Sequence, residues 1–118
     1  MTESEFKART KAFSLKILDF TDRVPRSRPN DVLTGQLVRC ATSVGANYRA
    51  ACRGKSVADM LAKLAICEEE ADETIYWLEL LKSRVTKDCL ESIDALASEA
   101  NEIVAILVAS IKTLRKRK

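Results

Sequence analysis

Glu70 and Glu73 stand one helical turn apart. Two carboxylates at that spacing could hold a hard metal ion or do acid–base work. The chain has no histidine, which removes Ser-His-Asp and Cys-His arrangements and the Glu-x-x-His pairs of metal-binding helix bundles. Two carboxylates on one helix are more often solvated or ion-paired, and that is the expectation for this pair. Cys40, Cys52, Cys67 and Cys89 lack metal-ligand spacing and read as small core residues, reduced in the cytoplasm that is the default location. Gly35, Gly45 and Gly54 are scattered, so no glycine-rich loop cradles a phosphate. The expectation is a protein that is not an enzyme and takes no metal or cofactor.

The cations are more suggestive. Arg49, Arg53 and Lys55 cluster together, as do Arg23, Arg26 and Arg28, while Lys112, Arg115, Lys116, Arg117 and Lys118 close the chain. Overall the net charge is +3, unevenly spread: residues 1–55 carry 11 Lys/Arg against 5 Asp/Glu, and residues 56–84 carry 3 against 7. A basic first half and an acidic third quarter attract each other inside a fold, and any exposed basic remainder attracts polyanions. The alternative for the terminal run is a tail that only aids solubility.

Positioning these groups falls to helices. The 118 residues suit one domain, and 47% hydrophobic with 31% charged residues is ordinary for a folded chain. With 3 Gly and 2 Pro there are few turns, which fits long helices joined by short loops. Helix 1 is expected over about residues 3–24, with Phe6, Phe13, Ile17, Phe20 and Val24 on one face and Pro25 ending it. Helix 2 is expected over 31–52, capped by Asn30 and stopped by Gly54, with Leu33, Leu37, Cys40, Ala41, Val44, Tyr48 and Ala51 inward. Helix 3 follows Ser56, whose pairing with Asp59 resembles a capping box, and runs over 57–84. Thr86 caps helix 4, over 87–114, with a seam of Leu90, Ile93, Ala97, Ala100, Val104, Leu107, Ile111 and Leu114. Short connections make this an all-α, antiparallel up-down-up-down four-helix bundle. No apolar run is long enough to span a membrane, and the N-terminus has no signal-peptide stretch.

Two features exceed a plain bundle. Helix 3 is apolar on two faces: Val57, Leu61, Leu64, Ala71, Ile75, Leu78 and Lys82 trace one stripe, and Ala62, Ile66, Trp77 and Leu80 lie opposite. A helix apolar on both sides needs cover on both, and a lone bundle supplies one, so the second face predicts an oligomer interface. Ile106 on helix 4 is assigned to the same interface. The other feature is a polar stripe of Gln36, Arg39, Ser43 and Asn47 on helix 2. Arg39 can pair with Glu70 or Glu73, with Gln36 and Asn47 completing a network. That stripe is either a ligand groove or a buried network setting helix register or subunit pairing; the second is preferred, since every charge has a candidate partner.

LTGQLVRCATSVGANYRAACRGKS followed by MLAKLAICEEEADETIYWLELL resembles the bacterial four-helix-bundle family that includes proteins encoded within intervening sequences of large-subunit ribosomal RNA. The matching pattern is Gln36, Arg39, Ser43 and Asn47, then Glu73 before an aromatic-Leu run. Many relatives have an Asn-hydrophobic-small-Glu-Gly turn where this chain has Asn47-Tyr48-Arg49-Ala50-Ala51. The resemblance implies a homopentamer around a central channel, and kinship with the basic accessory protein of diversity-generating retroelements, which binds nucleic acid and a reverse transcriptase. The functional expectation is therefore an oligomeric module binding RNA or DNA through its basic helix ends and tail. Its alternative is a scaffold holding a protein partner, with no nucleic-acid role.

Overall fold

Thr2 starts the first helix. Its hydroxyl accepts from the Glu5 N–H at 3.1 Å, and the Glu5 carboxylate accepts from the Thr2 N–H at 2.9 Å, a reciprocal capping box. The computed structural model describes residues 1–117. In it α1 spans Glu3–Thr21, α2 Arg28–Cys52, α3 Val57–Leu81 and α4 Lys87–Arg115, with a single 3-10 turn at Lys82–Arg84. Cross-helix pairs set the topology: Arg9 of α1 meets Glu99 of α4, Arg23 meets Asp88, and Arg39 of α2 meets Glu70 of α3. Residue numbers rise along one helix as they fall along its neighbour, in the two α1–α4 pairs and again where Thr74 bonds Cys40 and Cys67 bonds Val44, so the four helices run up-down-up-down in a bundle 47 Å long. The closest packing is α2 on α3, then α3 on α4; the α1–α4 seam is the loosest. Among the described residues no helix is long and apolar enough to cross a membrane.

Helix boundaries moved where local chemistry overrode periodicity. Helix α1 stops at Thr21, three residues short of expectation, although Val24 is still buried in the turn that follows. Helix α2 begins earlier than expected, because Ser27 and not Asn30 is its N-cap: the Ser27 hydroxyl accepts from the Asn30 N–H at 3.2 Å. Pro29 fits the first turn, where its missing N–H leaves no bond unmade. Asn30 instead is buried and ties the loop down, donating to the Pro25 carbonyl at 2.8 Å and accepting from Arg84 Nε at 2.7 Å. Gly54 ends α2 by leaving room: a Cβ there would collide with Met60 Cγ, and its φ is not positive. Ser56 caps α3 as expected, accepting from the Asp59 N–H at 3.0 Å, while the Asp59 carboxylate accepts from the N–H of Lys55. Thr86 is the N-cap residue of α4, but its hydroxyl turns to the Asp88 side chain and leaves the backbone uncapped.

The core follows the expected stripes on α1 and α2, with Thr10 filling the gap between Phe6 and Phe13. Opposite Thr10 stands Gly45, where an added Cβ would lie 3.3 Å from the Thr10 hydroxyl, so these helices approach closely. Seams on α3 and α4 are rotated from the expected ones. Leu81, Cys67 and Thr74 are buried on α3, whereas Lys82 is exposed and pairs with Asp94 at 3.0 Å. On α4 the buried set includes Cys89, Leu96 and Ile103, while Leu90, Ala97 and Val104 are only half-buried. Ala97 and Val104 flank the core, so a stripe drawn through them is off by part of a turn.

Candidate nucleic-acid interface

Helices α1 and α4 differ in length, 19 residues against 29, or about 28 Å against about 43 Å. Arg9 fixes their register, forking onto Glu99 at 2.7 and 2.6 Å and reaching Glu102 at 3.3 Å. The last turns of α4 therefore project past the start of α1. They meet the end of α2 and the first turns of α3 around an open cleft of about 570 Å³, lined by Tyr48, Cys52, Met60, Leu64, Ile106 and Arg117 among others. This end carries most of the candidate cations: Arg53 and Lys55 in the α2–α3 turn, and Lys112, Arg115, Lys116 and Arg117 on and after the last turn of α4, all exposed. Arg49 points elsewhere, lining a groove between α1 and α2 with Lys7 and Lys11. Lys118 lies outside the described residues.

These cations are not neutralised by their own fold. Among the described residues, no ion pair involves Arg49, Arg53, Lys55, Lys112, Arg115, Lys116 or Arg117. The nearby acids are engaged elsewhere: Glu3 pairs with Lys7 at 3.4 Å and Asp59 with Lys63 at 2.6 Å. The bond from Lys63 also holds the Asp59 carboxyl below its ordinary range, so it stays charged and committed. Of the cluster at the α1–α2 loop, Arg28 is likewise exposed and, among the described residues, without an ion pair, but the other two arginines behave differently. Arg23 bonds Ser92 at 2.9 Å and pairs with Asp88, and Arg26 forks onto Asp31.

The expected polar network assembles in part. Arg39 donates to Gln36 at 3.0 Å and to Glu70 at 3.2 Å, and pairs with Glu73. Trp77 Nε1 donates to the same Glu73 oxygen at 3.0 Å. Both carboxylates of the Glu70–Glu73 pair are thus spent on Arg39. Ser43 and Asn47 stay outside: Asn47 donates to the Ser43 hydroxyl at 2.8 Å and to its carbonyl at 2.9 Å, one turn away along the stripe. Nor is the network buried. The Arg39 side chain is 50% exposed, although Glu70 is only 16% exposed. An arginine long enough to cross between helices keeps its head group in water.

Beside this cluster the outer face of α3 presents Ile66, Tyr76 and Leu80, all exposed, with Ala62 exposed and Trp77 half-buried. Tyr76 and Trp77 meet edge-on at 5.2 Å. Ile106 does not join them; it lines the cleft at the basic end with Met60 and Leu64. A heptad reading places Ile106 off the seam but cannot tell which flank it covers.

Three of the four cysteines sit where their thiols are held neutral. Burial pushes the Cys67 thiol up to about 12 and raises Cys40 and Cys52 as well, so all three stay protonated at neutral pH. The Arg9–Glu99 clamp and the Asn30 tether were invisible to spacing, because each joins residues more than fifty positions apart.

Known proteins bear on the same chain. The family model described as 23S rRNA-intervening sequence protein matches residues 2–109, ending before the cations at 112–118. No curated protein matches. Among solved structures, a protein of unknown function from the S23 ribosomal protein family of Bacteroides thetaiotaomicron is 32% identical, with a TM-score of 0.83 over 95% of this chain and 99% of that one.

Proposed function

Because this chain belongs to the 23S rRNA-intervening sequence protein family, we infer that it is a non-enzymatic, homo-oligomeric binding module that holds RNA by its phosphate backbone. The observation that carries this reading is the cluster of exposed cations at one end of the bundle, none of which makes an ion pair among the described residues. Each phosphate neutralised releases counterions, so affinity falls with salt, with a log–log slope of about −0.7 per contact for a single strand. Four to six contacts would give a slope of about −3 to −4. Assembly multiplies that charge. The exposed α3 face of Ile66, Tyr76 and Leu80 is the surface we assign to a second copy, and five copies is the number the family resemblance implies.

The test is titration of a labelled RNA at several salt concentrations, with light scattering on the same sample. Salt-steep binding by a particle several times 13.1 kDa is the expected result. A monomer at high concentration removes the oligomer. If RNA fails to bind even at low salt, the apolar α3 face favours the second reading, a scaffold that holds a protein partner.

A further inference from the structure

Counter-charge alone does not distinguish one nucleic acid from another, but the basic end also contains the cleft. Its floor is apolar and partly covered: Leu64 is buried, and Tyr48, Met60 and Ile106 are half-buried. Its edge is polar, with Ser110, Thr113, Arg117 and the Glu3 carboxylate, which pairs with Lys7. The two hydroxyls are free to bond outward, as are those of Ser4, Ser43 and Ser98 among the described residues. Thr10, Thr34, Thr42 and Thr74 each donate back to a carbonyl of their own helix, the usual way a helical hydroxyl is satisfied. Among the described residues Ser110 and Thr113 make no such bond. Arg117 reaches the cleft itself, and Arg53 and Lys116 are chain neighbours of lining residues Cys52 and Arg117. An apolar floor, free hydroxyls and the planar guanidinium of Arg117, with Arg53 and Lys116 next in the chain to lining residues, match a flat, amphipathic, hydrogen-bonding group attached to a phosphate chain.

We propose that this cleft receives an unpaired nucleobase, so that the basic end selects single-stranded over duplex RNA. The proposal rests on the RNA reading above. In a duplex the bases are stacked and paired, and the cations alone are left to bind it. A single strand offers an unstacked base that can lie against Tyr48 and Arg117 and use the hydroxyls of Ser110 and Thr113, while its phosphates meet Arg53 and Lys116.

The test compares three labelled probes on the full chain at low salt: a short oligoadenylate, a duplex of the same length, and a strand of that length with abasic sites throughout. The expected result is oligoadenylate binding about tenfold tighter than either of the others, the scale of one stacked base. Ala109→Leu and Thr113→Leu, each at an exposed helical position on the cleft, should bring the ratio of single-strand to duplex affinity down to about one. Equal binding of the abasic strand, or an unchanged ratio in both variants, overturns the cleft and leaves the RNA reading standing. If none of the three probes binds, both readings fall.

Discussion

The two ends of this bundle carry the same kinds of residue and use them differently. At the α1–α2 loop end Arg23, Arg26, Arg84 and Lys82 each have a partner: Asp88 with Ser92, Asp31, Asn30 and Asp94. At the opposite end Arg53, Lys55, Lys112, Arg115, Lys116 and Arg117 are exposed and, among the described residues, make no ion pair, although Glu3 lines the same cleft as Arg117. One end uses four of its cations to close a loop and leaves Arg28 and Lys87 exposed; the other pairs none of its own among the described residues. A count of positive charges does not separate the two ends; the placement of acids does.

The largest effect expected from breaking this contrast is on binding. Replacing Arg115, Lys116 and Arg117 with Gln should weaken RNA about a hundredfold at 0.1 M salt and flatten the salt slope by about 2, if each residue meets one phosphate. Arg26→Gln, at the paired end, should leave that slope unchanged. Equal losses from the two sets, read in the same titration, would erase the distinction between the ends.

Stability should show the reverse order. Asn30→Ala frees the Arg84 head group and the Pro25 carbonyl, and about 2 kcal/mol should be lost in urea unfolding, the usual cost of breaking a buried polar tether. The Gln triple variant should unfold within about 0.5 kcal/mol of the parent. A smaller effect is expected at the α1–α4 clamp. Bonding to Arg9 holds the Glu99 carboxyl below its ordinary value, so its stabilisation is complete above the ordinary carboxylate range and is lost as pH falls through the folded value. Glu99→Gln should therefore cost about 1 kcal/mol at pH 7 and little in acid; a cost that does not change with pH would show that the clamp contributes packing alone.

The smallest effect concerns Arg39. Being half in water, Arg39→Ala should cost at most about 1 kcal/mol in dilute, dissociated protein. A second copy seated over Ile66, Tyr76 and Leu80 would cover the network as well, and the same substitution would then lower the oligomer's stability more than the monomer's. Unfolding midpoints that do not respond to protein concentration, with or without Arg39, would leave that face uncovered.

The sequence by itself determined four helices, their direction and most of the buried residues on α1 and α2, because apolar spacing of three and four repeats through each helix and prolines, caps and short loops punctuate it. It also placed Arg39 beside Glu70 and Glu73, since a stripe of polar residues on one helix and carboxylates on its neighbour leave few pairings. Tertiary structure alone decided the rest. Spacing does not resolve a rotation of a small fraction of a turn, so the seams of α3 and α4 became definite only when packed, and Ile106 went to the cleft. Burial of a long side chain depends on what lies above it, so Arg39 could not be read as half-exposed from its neighbours in the chain. The cleft itself exists because Thr2 starts α1 where it does and Arg9 locks the register against Glu99, a difference of length and offset between two helices that becomes a site only when they lie side by side.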